Sequence, residues 1–180
     1  NGAALLLRRE VTVKGQIIKM MESHYYGNSM DNYLNNEFWT SLPLSLKNRI
    51  LTTTIEVAKS GIENEGILRI PRKIFLLSIT ETGFTFQEKL MPQEGKPLKY
   101  FEYWRNRIAY TNGQAMPWLL RTPNRATDGG AGLITTVGGV SNMADLHNQP
   151  VRSAFCLDKR TPITVNNWIV SGETVYVLAE

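Results

Sequence analysis

The chain has 180 residues, 42% of them hydrophobic, which suits one domain with a buried core. Its net charge of +4 is spread over small groups (Arg8-Arg9, Arg69 to Lys73, Arg105 to Arg107, Lys159-Arg160) that read as solvated surface and lack the basic stripe of a nucleic-acid binder. A single cysteine, Cys156, excludes an intrachain disulfide, and no apolar run is long enough to span a membrane.

In chain order, Ala3–Leu7 opens an apolar segment with strand character through Val13. A start at Asn1 inside such a run creates the expectation that upstream residues exist. Ser29 or Asp31 is expected to cap a helix through Trp39, with Met30, Leu34 and Phe38 on one face. Pro43 suits the start of a second helix, whose buried side would carry Leu46, Ile50 and Leu51. The β-branched run Thr52 to Val57 predicts a strand, and Ile74 to Leu77 predicts a short buried one. The stretch 83–96 reads as irregular. Leu98 to Tyr110 is expected to be a helix with Leu98, Phe101, Arg105 and Ile108 on one face.

The second half reads as short strands between long polar loops. Trp118 to Arg121 is a strand stopped by Pro123, and 124–132 is a polar, glycine-rich loop. Leu133 to Val137 alternates weakly, Gly138-Gly139 signals a turn, and 141–150 is polar again. Val151 to Leu157 and Thr174 to Leu178 are the last strands. Strands and helices do not alternate, which argues against a parallel nucleotide-binding sheet.

The glycine-rich Asp128 to Gly132 lacks the strand, helix and lysine of a phosphate cradle. Asp128, Asp145, His147 and Asp158 have no regular ligand spacing, so no metal and no cofactor are expected. No G-x-S-x-G elbow marks a serine nucleophile. Cys156 lies in an apolar run and reads as a buried, inert thiol. The two polar loops instead hold adaptable hydrogen-bonding side chains: Asn124, Arg125, Asp128, Asn142, Asp145, His147 and Asn148. Loops on a rigid scaffold commonly carry binding residues, so these form the candidate ligand-binding face. Trp118, Arg121 and Arg152 are expected to be structural struts: a core tryptophan and two strand arginines whose guanidinium groups either point away from the core by alternation or are partly buried and paired.

Trp118-Leu119-Leu120-Arg121-Thr122-Pro123 and Val151 to Asp158 resemble the W-L-R-S-P and V-R-P-A-L-x-L-D signatures of an uncharacterised domain family of Firmicutes-type bacteria and their bacteriophages. Ala4 to Val11, Asp31 to Phe38 and Phe75 to Glu81 are similar to its L-L-L-S, R-x-x-L-N-x-x-F and F-L-L-S-x-x-E segments, so the resemblance runs over residues 3–178. Thr122, Ser153 and Asp31 depart from the pattern. A typical member has a further strand ahead of the L-L-L-S run.

That family resembles the C-type-lectin-like fold, in the branch of the formylglycine-generating enzymes. The resemblance implies an α+β architecture, two or three helices beside a small, irregular, mostly antiparallel sheet with long loops, as a single domain over 1–180. It implies a non-catalytic binding module, a bacteriophage virion (tail, baseplate or fibre) domain for host attachment. Its partners would be other virion subunits in an oligomer and a host-surface glycan or protein, without nucleic acid or membrane insertion. The alternatives are a decoration or assembly domain of the virion, a bacterial cell-surface binding protein and, more remotely, an enzyme using Cys156.

Overall fold

Short antiparallel pairings dominate the computed structural model, which describes residues 3–7, 24–59, 66–84, 93–123, 130–143, 150–170 and 173–178. The architecture is mixed α and β, with short helices and small antiparallel sheets. Strand β1 (Ala3–Leu7) pairs with β10 (Ala154–Asp158), whose other edge takes β2 (Ile50–Leu51). β3 (Thr53–Ala58) and β4 (Ile67–Arg72) form a second ladder. β5 (Ala109–Thr111) and β6 (Gln114–Met116) form a hairpin. Its turn, Asn112-Gly113, has positive φ at both residues, the conformation a two-residue hairpin turn demands. β7 (Trp118–Pro123), β8 (Ala131–Ile134) and β9 (Val140–Met143) make a meander, and β11 (Ile163–Val170) pairs with β12 (Glu173–Leu178).

The first helical run differs from expectation at both ends. It comprises α1 (Ser29–Tyr33), a π-helical turn (Leu34–Phe38) and α2 (Trp39–Ser41). The cap is Asn28, not Ser29 or Asp31: its side-chain oxygen accepts from the Asp31 amide at 2.9 Å. Asp31 is buried instead, accepting from the Gly27 amide and from the Arg72 guanidinium through both carboxylate oxygens. Met30 and Leu34 face the core as expected, with Phe38 packed against it.

The second helix, α3 (Leu44–Lys47), ends before Ile50. Ile50 and Leu51 belong to β2, paired with Leu157 and Cys156, because extending the β10 ladder satisfies their backbone groups. Ile74 to Leu77 is buried but is not a ladder strand. Only Phe75 bridges, to Ala154. The strand predicted from Val151 starts at Ala154, which leaves Arg152 ahead of it.

The predicted helix over 98–110 is also absent. Two 3₁₀ turns, Lys99–Glu102 and Trp104–Arg107, flank an extended Tyr103, and β5 follows. Side chains claim the carbonyls that a helix would use. Asn106 donates to Tyr100 O and Arg107 to Phe101 O. Consecutive aromatic residues also have modest helix propensity. Phe101 alone of the local aromatics is buried, while Tyr100, Tyr103, Trp104 and Tyr110 are exposed.

Candidate functional site

β7 is buried along its whole length, although it is an edge strand of the β7-β8-β9 sheet. Its pairing with β8 slips between Leu119↔Leu133 and Pro123↔Ala131, leaving extra residues on β7. Such a bulge re-aims side chains. The freed Arg121 amide bonds to Leu77 O instead, at 2.9 Å. The Arg121 side chain is 0% exposed.

A buried guanidinium needs an anion and carbonyls to offset its lost hydration. Arg121 has both. It grips Glu81 bidentately at 2.7 and 2.8 Å, and it donates to the carbonyls of Leu76 at 2.7 Å and Glu56 at 3.0 Å. Burial works against its charge, but the Glu81 carboxylate prevails and raises its pKa above the ordinary arginine value.

The network continues through β7. Thr122 Oγ1 accepts from the Ile79 amide and donates to Glu94, which also accepts from the Ala58 amide. Glu94 is 0% exposed, and burial pushes its carboxyl above the usual range. The Ser78 hydroxyl donates to Glu94 O and accepts from the Glu81 amide. Tyr25, fully buried, accepts from the Leu76 amide, and burial drives its phenol upward. Arg121 thereby joins β3, the 76–81 segment and β7 into one polar core. Sequence reading singled out Arg121 but missed Glu81 as its partner and the Thr122–Glu94 pair beside it. No periodic signal marks a pairing across forty residues of chain.

The other two struts meet each other. Trp118 is 0% exposed and donates its Nε1 proton to Arg107 O. The Arg152 guanidinium lies 5.1 Å from its ring centroid and donates to Asn106 O at 3.3 Å. Burial lowers the Arg152 pKa despite its hydrogen bond with Tyr100. Cys156 is buried, and burial pushes its thiol up, opposed by a hydrogen bond with Thr53.

Of the candidate loop-face residues, Asn124, Arg125, Asp128, Asp145, His147 and Asn148 lie outside the described residues. Asn142 is not in a loop. It belongs to β9 and pairs with Gly132, and Ala131 and Gly132 belong to β8, so neither predicted loop has the bounds expected of it. The meander brings their attachment points together: Pro123 and Met143 both pair with Ala131, at one end of the sheet. Arg121 and Thr122 lie immediately beneath that end. Gly132 also permits close packing there, since a Cβ on it would fall 2.6 Å from Ile79 Cδ1.

These features define a small mixed α/β domain whose buried strand β7 is held by a buried arginine. The chain belongs to the family described as a domain of unknown function (DUF6273), whose model matches residues 1–159. No curated protein and no solved structure matches the chain. The β11–β12 hairpin follows the matched region.

Proposed function

We propose that the chain is a non-catalytic binding module that recognises its target through segments 124–130 and 144–150. The observation that carries this reading is the shared rung: Pro123, Ala131 and Met143 anchor both segments at one sheet end. The buried Arg121–Glu81 pair beneath it supplies a rigid base, the arrangement recognition loops use. The sequence resemblance supports a C-type-lectin-like scaffold and, as setting, a bacteriophage virion domain that attaches to a bacterial surface. Purified chain is expected to bind intact Firmicutes-type cells or their cell-wall glycan. Arg125→Ala with Asp128→Ala, and Asp145→Ala with His147→Ala, should each weaken binding while leaving the circular dichroism unchanged. Full retention of binding in both double variants would sink the loop-face assignment.

A second reading, an assembly domain, is favoured by one surface. Tyr100, Tyr103 and Trp104 are exposed together, with Arg105 stacked over the last two. Aromatic residues and arginine are the composition of interface anchors. Sedimentation of wild type against Trp104→Ala tests it: an oligomer that dissociates in the variant supports assembly, and a wild-type monomer counts against it.

A further inference from the structure

A cleft of about 390 Å³ lies between the first helical run, the junction of β2 and β3 and the end of β4. That volume is within the range of small-ligand sites. Pro71 is the only apolar residue of its described lining, so the cleft suits a ligand that spends its surface on hydrogen bonds.

Part of that lining is already paired. Asp31, 2% exposed, takes the Arg72 guanidinium bidentately at 2.7 and 2.6 Å and also accepts from the Gly27 amide. Asn35 donates to Ile74 O at 2.9 Å and accepts from the Lys73 and Ile74 amides, which ties the helical run to the end of β4. Other polar groups of the cleft are not spent in this way. Asn36 and Thr52 are exposed, and their side chains have no hydrogen-bond partner among the described residues. Asn32 donates to Gly27 O, which leaves its side-chain oxygen open. The Lys73 ammonium lies 4.2 Å from the Trp39 ring centroid and meets no carboxylate among the described residues. Arg72 and Asp31 cancel, so Lys73 leaves the cleft with a net positive charge. Asn35 and Asn36 both stand in the π-helical turn, a rare widening of helix geometry that occurs frequently at functional sites.

We infer that this cleft binds a hydroxyl-rich anion of the uronic-acid type, with its hydroxyls on Asn32, Asn36 and Thr52 and its carboxylate on the Lys73 ammonium. A carboxamide both donates and accepts, which matches a hydroxyl that does the same. A bare small anion would use Lys73 alone, and a neutral sugar would leave its charge unanswered. The Trp39 ring already holds Lys73, so the ammonium is positioned before the ligand arrives. No described residue of this cleft belongs to the β7–β9 meander, so failure here leaves the loop-face reading standing, and the reverse holds.

Titration of the intact, isotope-labelled chain with glucuronate, galacturonate, glucose and acetate, followed by NMR, tests the inference. At least one uronate should shift the side-chain amides of Asn32 and Asn36 saturably, about fivefold more tightly than glucose, the upper end for a solvent-accessible ion pair. Acetate should bind less tightly than that uronate. Lys73→Met, which keeps a stem against Trp39, should lower uronate affinity about fivefold, to the level of glucose. Asn36→Ala, at an exposed position, should weaken uronate and glucose alike. The inference is overturned by any of four results: no saturable shift with either uronate, a uronate no tighter than glucose, a uronate no tighter than acetate, or unchanged uronate binding in either folded variant. If Lys73→Met does not fold, the wild-type ranking and Asn36→Ala decide.

Discussion

Arg121→Met removes the guanidinium while keeping much of the side-chain volume. The substitution leaves the Glu81 carboxylate, only 14% exposed, without its bidentate partner. It also strips donors from the carbonyls of Leu76 and Glu56. Breaking a buried pair by removing one partner costs about 3–5 kcal/mol, because the surviving charge stays desolvated. For a domain of this size each kcal/mol lowers the melting temperature by about 2–4 °C, so a fall of about 6–20 °C is expected. Urea denaturation followed by tryptophan fluorescence measures the free energy directly. The double variant Arg121→Met/Glu81→Met removes the stranded charge and should recover part of the loss. A single-variant cost below about 1 kcal/mol, the scale of an ordinary exposed pair, would refute the argument that this pair locks the core.

Glu94 gives a pH-dependent prediction. Its folded carboxyl is raised by burial, so the folded state holds the proton more tightly than the unfolded chain. The associated stability is full below the unfolded carboxyl pKa and is lost as pH rises through the higher folded value. Glu94→Gln, which can still accept from Ala58, should therefore gain on wild type as pH rises across that window. Parallel stability curves would show that Glu94 does not titrate differently on folding. Gly132→Ala should cost about 1–3 kcal/mol, since the new Cβ would stand 2.6 Å from Ile79 Cδ1 in a filled core. A variant as stable as wild type by the same denaturation assay would mean that Ile79 yields freely.

Several elements were legible from local chemistry. The β-branched run before Ala58 is β3, the Trp118 segment is β7, and Gly138-Gly139 follows β8 as a turn. Asn112-Gly113 carried a hairpin signal that the helix expectation over 98–110 obscured. That expectation failed because apolar spacing records which residues can share a face, not which carbonyls the rest of the molecule will claim. Arg107 and Asn106 took two of those carbonyls.

For the site, the amino-acid order alone determined that Trp118, Arg121 and Arg152 sit in apolar surroundings and that polar stretches flank the meander strands. It also determined that the one cysteine forms no internal disulfide. Only the tertiary structure decided that Arg121 meets Glu81, that Glu94 lies buried against Thr122, and that Arg152 stacks on Trp118. It also decided that the two polar segments start from one rung. The physical reason is range. Burial tendency and turn chemistry act within a few residues and can be read along the chain. Compensation of a buried charge depends on which distant strand and loop the register sets beside it.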